Sequence, residues 1–187
     1  MENKHKIILD LCGGTGAWSK DYKDAGYDVR LITLPEDDVK TYQPSENAYG
    51  ILAAPPCTMF SLARQNAKTP RDFKKGMSAV IDCLGIIWKC RYINKLAFWA
   101  LENPTGYLRQ FLGKPAFTFQ PYEFGDPSKK KTDLWGYFNN PKKNPIPKPN
   151  YPRKGSASWS GQYSTPGQKE RATTPAKFAK AFFEANK

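Results

Sequence analysis

The chain has 187 residues, which is enough for one domain with a full hydrophobic core. Its 29 Lys and Arg residues exceed its 17 Asp and Glu residues, and the formal net charge of +12 favours a polyanionic partner such as a nucleic acid. The sequence shows no apolar run long enough to span a membrane, no basic amphipathic helix and no signal-peptide pattern. We therefore expect a cytoplasmic protein with reduced thiols and no membrane partner.

The first predicted element is an apolar strand over residues 6–11, followed by a glycine-rich turn over 12–16. A helical segment then carries Trp18 and Tyr22 at helical spacing, and Gly26 can close it. A strand, a glycine-rich turn and a helix are typical of the start of a nucleotide-type α/β domain, in which glycines let a ligand approach the backbone. The spacing departs from GxGxxG and no GKS or GKT follows, so a dinucleotide site or P-loop is not favoured. A purely structural turn is the alternative.

A second strand is predicted over 27–34, followed by an acidic turn at 35–38. The next apolar run, 49–53, leads into Pro55, Pro56 and Cys57. The two prolines fix the backbone, and the end of such a strand lies at the carboxyl edge of a sheet, where open α/β proteins place their chemistry. The alternative is a strand-terminating turn with an inert, buried thiol.

A long helix is predicted over 77–94. Its predicted packing face consists of Met77, Val80, Ile81, Leu84 and Trp88. Cys83 and Cys90 lie seven residues apart and therefore on one face, and we expect both, like Cys12, to be core residues. A strand over 96–101 follows and precedes Glu102, although the segment from Glu102 could instead be a turn that caps a helix over 105–112.

Residues 117–124 and 134–138 are predicted as two further strands that could form a hairpin, and 139–154 as a Pro- and Lys-rich loop. A C-terminal helix is predicted over 174–186, with Thr174 as its cap and Pro175 at its first position. Its packing stripe consists of Phe178, Ala179, Phe182 and Phe183. Four irregularly spaced cysteines and the single His5 give no zinc pattern and no Ser-His-Asp arrangement, so we expect no metal.

Three segments together resemble one known family, the DNA cytosine-C5 methyltransferases. Residues 9–16 resemble the loop that binds S-adenosylmethionine in that family, and Pro55-Pro56-Cys57-x-x-Phe60-Ser61 resembles its Pro-Cys nucleophile motif. Residues 99–104 resemble its Glu-Asn motif at a strand end. All three segments occur in the order of the family, each at the end of a plausible strand.

The resemblance implies a single Rossmann-like domain over 1–187, with a mostly parallel, doubly wound sheet one strand smaller than usual. It implies S-adenosylmethionine-dependent methylation of cytosine C5 in DNA, in which the Cys57 thiolate adds to C6 and Glu102 assists at N3. Asn103 would organise the site. Lys130 would stand where the family has an arginine that braces the cytosine, keeping the charge without the bidentate fork.

The resemblance also implies two sets of binding residues. The predicted cofactor site comprises Asp10, Leu11, Cys12, Gly13, Gly14, Thr15, Gly16, Trp18, Glu36, Asp38, Val39 and Pro55. The predicted substrate site comprises Pro56, Thr58, Phe60, Ser61, Arg64, Lys129 and Lys131. Trp18 would lie near the methionine end of the cofactor, and Asp38 and Val39 near the adenine.

The chain departs from the family pattern in several places. Family members hold the cofactor ribose with an acid directly after the second strand, whereas here Glu36 is the nearest candidate. Thr58 stands where Gln is usual. In place of a target-recognition domain the chain has only the segment 139–167, which is too short for a core of its own. In this respect the chain is similar to compact phage- or prophage-encoded members of the family. This points to a bacterial cell or a phage-infected host.

Basic residues interleaved with aromatic ones from Lys129 to Trp159 suit phosphate contact and base stacking. We expect a monomer that acts on double- or single-stranded DNA. A single-stranded substrate would avoid the cost of unpairing the target base. One alternative is a non-catalytic nucleic-acid-binding relative, against which the presence of both Cys57 and Glu102 speaks. The other is a pyrimidine-C5 methyltransferase that acts on RNA or on a nucleotide.

Overall fold

The computed structural model describes residues 2–44, 48–64, 67–93, 96–150 and 173–187, and its centre is a six-stranded mixed sheet. The strands are β1 (Ile7–Leu11), β2 (Asp28–Ile32), β3 (Ala48–Ala53), β4 (Phe98–Pro104), β5 (Phe117–Phe119) and β6 (Thr132–Tyr137). Their order across the sheet is β2-β1-β3-β4-β6-β5. The first four strands are mutually parallel, and β6 runs antiparallel to both β4 and β5.

Helices cover both faces of this sheet, because the buried central strands are apolar on both sides. The helices are α1 (Lys20–Asp24), α2 (Phe73–Ile93), α3 (Arg109–Leu112) and α4 (Ala176–Ala185). Single 3₁₀ turns occur at Glu2–His5, Leu62–Arg64 and Pro121–Phe124. The core on one face contains α2, and the core on the other contains α1 and α4. The predicted α/β class is therefore confirmed.

The predicted packing face of α2 is confirmed in part, because Val80 is buried and Met77 and Leu84 pack against the core. It is wrong for Ile81 and Trp88, which are 60% and 59% exposed. The other buried residues of the helix are Cys83, Ile86, Ile87 and Cys90. Two stripes of the helix have helical spacing, and the one that contains both cysteines packs on the sheet, since a free thiol behaves as a small apolar group. The expectation that Cys83 and Cys90 are core residues is confirmed, whereas Cys12 is only half-buried.

The C-terminal half contains three smaller corrections. Residues 121–124, expected to be strand, form the 3₁₀ turn, with a capping box between Gln120 and Glu123. The start of α4 has Pro175, not Thr174, as its N-cap, and no side chain caps it. Glu102 lies inside β4, which extends through Pro104, so it does not follow the strand.

Other predictions for this half are confirmed. The strands β5 and β6 pair antiparallel, as the expected hairpin requires. Phe178, Ala179 and Phe182 are buried on α4, and Phe183 packs against the same core. Residues 139–150 contain no helix or strand, while 151–167 of the predicted loop lie outside the described residues.

Within the described ranges, no helix has the length and apolar character needed to cross a membrane.

The parallel register brings the loops that follow β1, β2 and β3 to one edge of the sheet, here called the carboxyl edge. Leu11 is paired with Ile32 on one side and with Ala53 on the other. The backbone hydrogen bonds continue past the strands: Cys12 N donates to Ile32 O (2.8 Å) and Ala54 N to Leu11 O (2.9 Å). Because Ala53 is paired in turn with Leu101, Glu102 reaches the same edge.

Candidate active site

The glycine-rich loop after β1 turns sharply because several of its residues adopt left-handed backbone conformations. Cys12 and Gly14 both have φ +56°, and Gly16 has φ +69°. Gly13 is required by contact, since a Cβ atom there would lie 2.2 Å from Asp10 Oδ1. Gly14 and Thr15 are exposed at the tip of the loop, so their backbone is accessible to a ligand.

Asp10 is fully buried beneath this loop. Its Oδ2 accepts a hydrogen bond from Ser19 Oγ at 2.5 Å, while its Oδ1 has no partner among the described residues. Burial raises the pKa of the carboxyl to about 6, although the Ser19 hydrogen bond opposes the rise. A carboxyl group without full hydrogen bonding is thus held under the loop.

The loop has an acidic environment in an otherwise basic protein. The pKa of Cys12 is lowered, mainly by the contact of its Sγ with Cys83 Sγ at 3.9 Å; burial and the charges of Asp38, Asp10 and Asp82 act in the opposite direction. Three carboxylates therefore lie close enough to act on one loop side chain.

The turn after β3 presents Cys57 at the carboxyl edge, next to the glycine-rich loop. Phe60 N and Ser61 N both donate to Cys57 O at 2.9 Å, which closes a tight turn. Pro55 is buried, and its carbonyl accepts a hydrogen bond from Asn103 Nδ2 at 3.0 Å. This bond joins the Pro-Pro-Cys segment directly to β4.

The same turn is fixed from its other side. Phe60 O accepts from Tyr107 N at 2.9 Å, and Ser61 forms a β-bridge with Gly106. A Cβ atom on Gly106 would lie 2.3 Å from Phe60 O, so only glycine fits there. The Phe60 ring is fully buried and stacks on Phe73 at 6.2 Å between ring centroids. Phe60 thus anchors the turn in the core, and its ring does not line an open site.

Cys57, Glu102 and Lys130 converge on one another. Lys130 Nζ lies 3.7 Å from Glu102 Oε1, and the side chain of Glu102 is only 15% exposed. Burial raises the pKa of Glu102, and Lys130 opposes that rise. Burial likewise raises the pKa of the half-buried Cys57 thiol. The positive charge of Lys130 lowers this pKa, and the negative charge of Glu102 raises it further. Lys130 thus stabilises the ionised form of both groups.

Two groups that organise this edge were not singled out from the sequence. Arg71 donates to Met59 O at 2.8 Å and to Ser61 O at 3.0 Å, and its guanidinium lies 4.7 Å from the ring centroid of Tyr107. In the sequence, Arg71 is only an arginine in a polar loop. Its acceptors are backbone carbonyls ten and twelve residues earlier, which no side-chain pattern marks.

The second group centres on Asp133, which is fully buried in β6. It accepts two hydrogen bonds from Arg109 (2.6 and 2.7 Å), one from Thr118 at 2.7 Å and one from Thr105 at 2.9 Å. Burial would raise the pKa of Asp133, but these donors outweigh it and the pKa is lowered. Asp133 thereby holds β5 and the segment after Pro104 against β6, beside Glu102.

The remaining predicted site residues divide by exposure. Thr58, Pro56, Glu36 and Lys131 are exposed, Asp38, Ser61 and Lys129 are half-buried, and Leu11 and Val39 are core residues. Trp18 is 2% exposed and packs on Phe182 of α4 at 5.4 Å between ring centroids, so its ring serves the core and offers no face to a cofactor. Arg64 donates to Thr69 and Pro70 within its own loop.

No protein-family model matches this chain, and no curated protein is significantly similar to it in sequence. In the part of the chain that the structure describes, no three His, Cys, Asp or Glu side chains are grouped so that they could hold a metal ion. The site itself combines a cysteine, a carboxyl group and a lysine beside a glycine-rich loop with acidic surroundings.

Proposed function

We propose that the protein is an S-adenosylmethionine-dependent methyltransferase that modifies cytosine C5 in DNA. The observation that carries this proposal is the convergence of Cys57, Glu102 and Lys130 at the carboxyl edge, where the Cys57 turn lies next to the glycine-rich loop. A buried structural thiol would need neither a carboxyl group nor a lysine beside it. A covalent mechanism at a pyrimidine ring needs a nucleophile and a proton donor together.

The sheet order supports the finer assignment to a Rossmann-like methyltransferase domain. The order reverses between β1 and β3, since β2 lies on the far side of β1. In doubly wound sheets ligands bind at this switch point, outside the carboxyl ends of the strands. The glycine-rich loop follows β1 and the Cys57 turn follows β3, so the two loops flank that crevice. A sheet one strand smaller than usual for the family is compatible with the six strands here.

Each catalytic residue has a role that its environment supports. Cys57 loses its thiol proton and forms a bond from Sγ to C6 of cytosine, and Lys130 favours the required thiolate. Glu102, with its raised pKa, stays protonated to higher pH than an exposed glutamate and can donate a hydrogen bond or proton to ring N3. Once C5 carries the new methyl group and has lost its proton to a base, the bond from Sγ to C6 breaks and the thiolate leaves.

The loop environment fits S-adenosylmethionine better than a dinucleotide. The cofactor would supply an electrophilic methyl group on a sulfonium, and it carries positive charge at its methionine end. Asp10, Asp38 and Asp82 give the loop a negative field that would repel a pyrophosphate. The exposed backbone of Gly14 and Thr15 offers hydrogen-bonding groups. Asp38 would hold polar groups of the nucleoside.

A methyl-transfer assay tests the proposal. The protein is incubated with S-adenosylmethionine and with single-stranded DNA, duplex DNA or RNA, and the digested nucleosides are analysed by mass spectrometry. We expect 5-methylcytosine in the DNA incubated with the wild type. The product should be absent with Cys57→Ala and strongly reduced with Glu102→Gln. The control Cys90→Ala, which removes a buried thiol of α2, should retain it. Product in RNA alone would move the activity to RNA. Nucleic-acid binding without any product would indicate a non-catalytic relative.

A further inference from the structure

A small cavity with an unusual lining lies beside the N-terminal half of α4. It has a volume of about 240 Å³ and is lined by Phe124, Lys142, Asn144, Lys177, Lys180 and Ala181. Three exposed lysines and no acidic residue thus line one space. We call it the lysine cavity.

Two acids lie near the cavity. Glu123 Oε1 pairs with Lys143 Nζ at 3.0 Å, and Asp126 Oδ2 accepts the backbone N–H of Lys177 at 3.1 Å. Lys177 Nζ donates to Gly125 O at 2.9 Å, which holds its ammonium group in place. Among the described residues, neither Lys142 nor Lys180 has a carboxylate within salt-bridge distance. Even when the charge of Asp126 is counted against the three lysines, the cavity keeps a net positive charge.

A short stretch of chain connects the cavity with Lys130. The loop from Gly125 to Lys130 joins them, since Gly125 contacts Lys177 and Lys130 contacts Glu102. Five residues of extended chain span at most about 18 Å, so the Cα atoms of Gly125 and Lys130 lie no further apart than that. This is a distance that a few nucleotides of a bound strand can bridge.

We propose that the lysine cavity binds one backbone phosphate of the nucleic-acid strand whose cytosine lies at Cys57, an inference that rests on the proposed function. Its volume is below the roughly 300–1,000 Å³ typical of small-molecule sites, so it suits a single phosphate group rather than a whole nucleotide. A phosphate contact of this kind fixes the register of the strand without reading its sequence. It would partly replace the positioning role of a separate recognition domain.

The test measures oligonucleotide affinity as a function of salt for the double variant Lys142→Ala/Lys180→Ala. The matched control is Lys4→Ala/Lys23→Ala, which removes the same charge from exposed positions in the 3₁₀ turn before β1 and in α1, away from the carboxyl edge. Loss of one phosphate contact lowers the slope of log K against log salt by about 0.7 on single-stranded DNA and about 0.9 on duplex DNA. We expect this loss in the cavity variant and not in the control.

The outcomes separate this inference from the proposed function. If the wild type methylates DNA and both double variants show equal salt slopes, the phosphate site is wrong and the catalytic assignment stands. If inorganic phosphate binds at the cavity while oligonucleotide affinity is unchanged by the double variant, the site takes free phosphate and the backbone assignment is overturned. If the wild type binds no oligonucleotide, both the inference and the polymer substrate are refuted.

Discussion

The buried Asp10 should make the stability of the protein depend on pH in a defined direction. Its pKa is raised from an ordinary value of 3.8 to about 6, which at 1.36 kcal/mol per pKa unit corresponds to about 3 kcal/mol. Because the folded-state pKa is the higher one, this contribution to folding is fully present below pH 3.8 and is lost as pH rises through about 6. Between about pH 4.5 and about pH 7.5, roughly 2 kcal/mol of the loss is observable.

The assay is urea unfolding of the wild type and Asp10→Asn across that pH range. The asparagine does not titrate, so the free energy of unfolding of the wild type should fall relative to the variant by about 2 kcal/mol as pH rises. A constant offset between the two proteins does not matter, because only the change with pH is compared. Asp37→Asn, the same substitution at an exposed position, controls for the loss of one charge. A difference that stays constant with pH, or that grows in favour of the wild type, would refute the reasoning.

Three further predictions concern the loops at the carboxyl edge. Gly13→Ala should lower the free energy of unfolding by more than about 1 kcal/mol, because a Cβ atom at this position has no room. The control Gly85→Ala, which has open space around it in α2, should raise the free energy of unfolding by roughly 0.5–1 kcal/mol. Equal effects of the two substitutions in urea unfolding would contradict this prediction. Lys130→Met should shift the pH dependence of iodoacetamide alkylation of Cys57 to higher pH, and an unchanged profile would exclude the charge effect. Arg71→Ala should slow methyl transfer about tenfold or more without changing cofactor affinity, with partial rescue by lysine; an unaltered rate would show that the turn holds without the clamp.

Much of the sheet could be predicted because its strands are short apolar runs with clear ends. Residues 6–11, 27–34 and 49–53 correspond to β1, β2 and β3 within one or two residues at each end. The nearness of Cys57 and Glu102 could also be predicted, since Cys57 follows β3 and Glu102 lies in the last part of β4, and the carboxyl ends of these parallel strands meet at one edge.

The parts that could not be predicted depend on contacts far apart in the chain. Arg71 and Asp133 act through partners brought together only by the tertiary fold, and no local pattern marks them. The face of α2 was ambiguous because Trp88 and Cys83 belong to two stripes of equal periodicity. The resemblance places Trp18 near the methionine end of the cofactor, but its ring is directed into the aromatic core against α4.

The most direct test of the central claim is covalent trapping with an oligonucleotide that contains 5-fluorocytosine. Fluorine at C5 cannot leave as a proton does, so the bond between the enzyme sulfur and C6 persists after methyl transfer. We predict an adduct that requires S-adenosylmethionine, maps to Cys57 by peptide mass spectrometry, and is absent in Cys57→Ala. An adduct that persists in Cys57→Ala, or none in the wild type although the cofactor binds, would contradict the account.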